Sequence, residues 1–269
     1  MKKKHRVSLC GLYGIMIFLV TGFIVIITTH AAGGPPGYCD DDPQRIETGV
    51  FKTRVVLSPS LEPQRSELEK DVVNAQRRVR EFARAHGWEN LVKDSFFDKV
   101  EIYDLKDAYN RRIIELCKEA PSTEIPASFC AALERRVLVV VSPRLFREAN
   151  PKFVEDAFYQ KVMAHEIVHR LHVRIVADEN AMGPFWVFEG FAMFGADQLK
   201  DTIPELSRGE ILEIMRGRER IDYRKYNAVF RYFVKRVPLQ RLIRKAGDDK
   251  YVEWLEKLVE DQGAAEKSL

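Results

Sequence analysis

The stretch KVMAHEIVHRLHV, residues 161–173, decides how this chain is read. Val162, Ile167, Val168 and Leu171 are good core formers and predict a helix held rigidly in the interior. On such a helix, residues four apart lie one above the other, so His165 and His169 share a face. Two neutral imidazoles so placed can bind one Zn²⁺ at about 2.0–2.1 Å. Glu166 follows the first histidine directly and sits beside the metal position, where it can take a proton from a water the metal activates. Without a metal, the same pattern is a buried helix with two satisfied histidines.

A catalytic zinc held by two histidines needs a third protein ligand and keeps one position open for water. Downstream, FWVFEGFAMFGAD (residues 185–197) places Glu189 among Phe, Trp, Val, Ala and Met. An unpaired carboxylate on so apolar a helix is costly, and a nearby cation removes the difficulty. Gly183-Pro184 supplies the turn that brings this second helix back across the first. With these residues in view, the sequence resembles the gluzincin metallopeptidases, the superfamily of thermolysin and aminopeptidase N. The pattern W-x-x-E-G-F-A after H-E-x-x-H is most similar to the aminopeptidase-N-type branch and its small membrane or secreted peptidase MA-like relatives. The resemblance implies that Glu189 is the third zinc ligand. The 19 residues between His169 and Glu189 make a connection one residue longer than in the aminopeptidases.

DYRKYNAVFRYFVKRV (residues 222–237) resembles that family's tyrosine-bearing helix, whose hydroxyl donates to the oxyanion of the tetrahedral intermediate. The alignment favours Tyr226, with Tyr223 and Tyr232 as competitors, and amphipathic-helix tyrosines as the plain alternative. The likeness is specific over residues 135–260; residues 47–134 match only in their general strand–helix order. His172 shares a face with His165 but lies about 10 Å further along the axis, which points to a supporting or surface role. Glu179-Asn180-Ala181-Met182 reads as a loop, and no motif for holding a free amino terminus appears upstream. That absence favours an endopeptidase.

Around this centre, Val50 to Leu57, Val100 to Tyr103 and Arg136 to Ser142 read as strands, the last a β-branched run stopped by Pro143. Ser66 to His86, closed by Gly87, and Leu105 to Glu119 read as helices. From Lys152 onward the chain reads helical, with breaks at Gly183-Pro184, Gly209, Pro238 and Gly247. A small sheet in the N-terminal half and helices in the C-terminal half predict an α+β class, and the resemblance implies a zincin-like domain over residues 47–269. The strand at 136–142 is expected to run along the cleft and pair with an extended substrate.

Of 269 residues, 46% are hydrophobic and 31% charged, which excludes a collagen-like, low-complexity or largely disordered chain. The formal charge of +3 comes from Lys2, Lys3, Lys4 and Arg6; the other 39 basic and 40 acidic residues nearly cancel. A near-neutral body argues against nucleic acid as a partner. Arg77-Arg78 and Arg216 to Arg220 are solvated helix faces. After the basic start, residues 7–27 carry no charge and are long enough as a helix for a bilayer core of about 30 Å. Residues 1–30 therefore read as a basic tail with a retained transmembrane anchor, or as a signal peptide cleaved near Ala31-Ala32. Both place the body outside the cytoplasm, as a single-pass membrane protein or a secreted or periplasmic one. Residues 31–46, rich in Gly, Pro and Asp, form a flexible tether. Cys117 and Cys130 either close a short disulfide loop or stay thiols, with Cys39 left over.

The expected activity is zinc-dependent hydrolysis of peptide bonds in a peptide or protein substrate, with the membrane as second partner through the N-terminal helix. Glu166 and Tyr226 are the expected catalytic residues; His165, His169 and Glu189 hold one Zn²⁺. Two alternatives stay open: a non-catalytic anchored binding or assembly module, and a hydrolase of cell-wall peptide amides.

Overall fold

A computed structural model describes residues 53–151, 157–217 and 222–267, with side chains to residue 261. The N-terminal apolar segment, the tether, Cys39 and the start of the first expected strand lie outside the described residues. Among the described residues no helix is long and apolar enough to cross a membrane.

The elements run β1 (Arg54–Leu57), α1 (Arg65–Ala85), β2 (Lys99–Tyr103), α2 (Lys106–Cys117), β3 (Ala131–Glu134), β4 (Val137–Val141) and α3 (Pro143–Ala149). Helices α4 (Phe158–Val176), α5 (Phe185–Gly195), α6 (Arg208–Arg216), α7 (Tyr223–Val234), α8 (Leu239–Arg244) and α9 (Tyr251–Lys267) follow. The class is α+β, a small mixed sheet and then a mostly helical half. Backbone contacts divide the chain into two compact units, residues 53–65 with 97–151 and residues 66–96 with those from 157 onward.

The first unit is built on the four-stranded sheet, ordered β1-β2-β4-β3. β1, β2 and β4 are parallel, and β3 runs antiparallel to β4. The branched run of β4 suits a strand buried on both faces, and Leu138, Val139 and Val140 are fully buried. β4 lies between β2 and β3, so both its edges are already hydrogen-bonded. That overturns the expectation of substrate pairing along residues 136–142, because no backbone edge is left there. β3 is an edge strand, but all four of its residues are buried.

β3 has no strand-like composition. It forms because Arg135 (φ 45°) and Arg136 (φ 62°) make a two-residue reversal that pairs Glu134 with Val137. Arg136 also forks onto the Asp98 carboxylate at 2.6 and 2.9 Å. Pro143 both ends β4 and opens α3, with Ser142 as N-cap accepting from the Leu145 amide at 3.3 Å. Cys117 and Cys130 are separate buried thiols, and burial pushes them up to about 12 and about 11.

The second unit carries α1 and α4 to α9. On α1, Leu68, Val72, Ala75, Val79 and Ala83 form the buried stripe, and Gly87 at φ 73° turns the chain after it. α4 is buried on nearly every side rather than along one stripe. Arg174 ties its C-terminal end, donating to the carbonyls of Leu91 (2.7 Å), Asp94 (3.0 Å) and Ser95 (2.8 Å). α5 is buried between α4 and α7 and can approach both because two positions lack a Cβ. A methyl at Gly195 would lie 2.9 Å from Val168 Cγ1, and one at Gly190 would lie 2.6 Å from Phe230 Cβ. Gly183-Pro184 and Pro238 fall between helices as expected. Gly209 does not; it sits in the first turn of α6, which a capping box of Ser207 and Glu210 fixes.

Candidate metal centre

α4 delivers His165 and His169 from successive turns of one face, and α5 brings Glu189 against them. The two Nε2 atoms are 2.9 Å apart. Glu189 Oε2 lies 3.2 Å from His165 Nε2 and 3.8 Å from His169 Nε2. Both histidines are 3% exposed and Glu189 is fully buried. Three ligands on a tetrahedral zinc, each about 2.0–2.1 Å away, stand roughly 3.3–3.4 Å from one another. The observed edges of 2.9, 3.2 and 3.8 Å bracket that value.

The electrostatics agree with the spacing. Neither oxygen of Glu189 makes a hydrogen bond among the described residues. A carboxylate with no solvent and no hydrogen-bonded donor is costly to bury, and two imidazole Nε2 atoms 2.9 Å apart must either adopt unlike tautomers or face each other lone pair to lone pair. A divalent cation between them relieves both, so the donor set fits a metal. Burial is the largest cause pushing the His169 pKa well below its usual value, followed by the neighbouring His165, His172 and Arg170 charges. His169 is thus neutral, the form that ligates. This buried His-x-x-x-His pair with Glu189 is consistent with a zincin-like metal site.

Glu166 lies on the same helix between the two histidines and is 3% exposed. Tyr226, on α7, is 3% exposed, and its ring meets Phe185 edge-on at 5.4 Å and Tyr223 at 5.9 Å. Its backbone carbonyl lies against Gly190, next in sequence to Glu189. Tyr223 shares the aromatic cluster at the start of α5. Tyr232 does not; it is half-buried, with the Arg236 guanidinium 3.6 Å above its ring. Glu179–Ala181 forms a short 3-10 turn capped by Asp178, and Arg170 pairs with Glu179 at 3.0 Å.

Two residues depart from the sequence reading. Gln198, which no motif singles out, is buried with its Oε1 2.7 Å from His165 Nδ1. His172 is not at the surface. It is fully buried against Phe191, ring centroids 4.8 Å apart, and neither ring nitrogen makes a hydrogen bond among the described residues. α4 has no exposed face at that position, so the ring joins the core.

Burial pushes His172 down to about 3. The unfolded chain takes up that proton near pH 6.5 and the folded chain only near 3, so the folded state is favoured fully above 6.5 and loses ground as pH falls between those values. In chelator-treated protein the loss is expected to be about 1.4 kcal/mol per pH unit from this residue. His169 adds to it in the same direction. Denaturant melts of wild type and His172→Phe at pH 7 and pH 5 measure it; the variant should show a shallower acid dependence, and an equal slope contradicts the assignment. Comparison of the chain with family models, with curated proteins and with solved structures finds no match.

Proposed function

We propose that His165, His169 and Glu189 hold one Zn²⁺ and that the protein is a zinc-dependent peptidase, an endopeptidase acting outside the cytoplasm on a peptide or protein substrate. The observation that supports it is the convergence of three buried ligand atoms, all within 4.8 Å of one another, on a helix that also carries Glu166. When bound, the metal supplies Lewis-acid polarisation of a water and of the scissile carbonyl. Glu166 accepts the proton from the attacking water and passes it to the leaving amine. Tyr226, with Tyr223 beside it, donates a hydrogen bond to the oxyanion that develops at the carbonyl. The residue-7–27 segment holds the body at a membrane, or addresses it for export.

One observation favours a second reading. His165, Glu166, His169 and Glu189 are all 3% exposed or less. The His169 ring stacks on Phe188 with centroids 3.8 Å apart. A centre this enclosed suits a metal that stabilises an anchored binding module. The test is hydrolysis of a mixed peptide library by the full chain. Cleavage that stops with a chelator and returns with zinc supports the peptidase; zinc binding without any cleavage supports the module.

A further inference from the structure

Beyond α5 the chain turns through Asp197, Gln198 and Leu199. Asp197 (φ 56°) and Leu199 (φ 50°) both adopt the left-handed conformation that side chains disfavour, and Gln198 lies between them, 3% exposed. The turn is pinned on every side. The Gln198 amide donates to the Met193 carbonyl at 2.9 Å. Its carbonyl accepts from Asn227 Nδ2 at 2.9 Å, and Arg231 Nε donates to Asn227 Oδ1 at 3.0 Å. The Asp197 carboxylate gathers Lys200 (3.1 Å), Arg78 (3.7 Å), Lys161 (3.9 Å) and Arg231 (4.0 Å). Two side chains of the turn are buried, Leu199 and Gln198, and Gln198 is the polar one, its Oε1 set against His165.

His165 meets the ligand cluster through Nε2, so that nitrogen must keep its lone pair and Nδ1 must carry the proton. An acceptor at Nδ1 selects that tautomer and fixes the ring's rotation. Gln198 Oε1, 2.7 Å away, is that acceptor. His169 has no counterpart: its Nδ1 makes no hydrogen bond among the described residues, and its ring is held by stacking on Phe188. Orientation of the pair by hydrogen bonding therefore falls to Gln198.

Resting on the metal-centre reading, we infer that Gln198 is the positioning residue for His165 and that Asn227, Arg231 and the cations around Asp197 hold the turn that presents it. The acceptor is a neutral amide, which draws the imidazole proton less than a carboxylate does. His165 is thus a weaker donor to the metal than it would be with an acidic partner.

The full chain, its Gln198→Met variant (similar volume, no acceptor) and its Gln198→Glu variant (acceptor kept) separate the possibilities. Zinc affinity is read by competition with a chromophoric chelator, and geometry by the visible absorption of the Co²⁺-substituted protein. Gln198→Met is expected to bind zinc about 10–100-fold more weakly, with a changed cobalt spectrum. Gln198→Glu is expected to bind at least as tightly as wild type. Unchanged affinity and superimposable cobalt spectra in Gln198→Met overturn the inference while leaving the metal centre standing. Wild type that binds no zinc overturns both together. If Gln198→Met does not fold, Gln198→Glu decides: affinity below wild type overturns the inference, and affinity at or above it supports it.

Discussion

Glu166→Gln is expected to retain its zinc and its fold while peptide hydrolysis falls by about 10²–10⁴-fold. Glu166 lies on the ligand-bearing helix between His165 and His169 but is not one of the three groups whose atoms converge. Gln fills nearly the same volume, so packing around a residue only 3% exposed should survive the change. It cannot accept a proton, so general-base assistance to water is lost and the leaving amine goes unprotonated. Metal analysis and turnover on the same preparation separate the roles. Release of zinc by Glu166→Gln makes Glu166 a ligand and contradicts Glu189; unchanged biological activity with zinc retained supports the binding module.

A second large effect should change sign with the metal. Glu189 is fully buried with neither oxygen hydrogen-bonded among the described residues, so without zinc it is an uncompensated cost. Glu189→Met, apolar and of similar length, should therefore raise the stability of chelator-treated protein by on the order of 1–4 kcal/mol. With free zinc a thousandfold above its dissociation constant, wild type should gain about 4 kcal/mol, and the variant nothing. The order of melting temperatures then reverses between chelator and zinc. A variant less stable than wild type in chelator, with an undiminished response to zinc, removes Glu189 from the centre.

The buried His165–His169–Glu189 cluster was legible because helix periodicity alone puts His165 and His169 on one face, and because a lone carboxylate in FWVFEGFAMFG has few physical explanations. The β-branched run of β4 was legible as a strand but not as an interior one. Its neighbour β3 depends on Arg135 and Arg136 in conformations that Gly or Asn usually mark. Gln198 was hidden for the same reason, since the turn that aims it uses Asp197 and Leu199 at positive φ. His172 lies in the core rather than at the surface because α4 is buried on nearly every side. Local pattern thus found the His-His-Glu cluster, and non-local packing decided what surrounds it.

The central claim is that three buried side chains form one metal centre, and calorimetric zinc titration of the full chain tests it most directly. The account predicts saturation at about one zinc per chain in wild type, with no specific binding in His169→Ala, which removes one of three ligands. A wild-type chain that takes up no zinc, or a His169→Ala variant that binds it as tightly as wild type, contradicts the account.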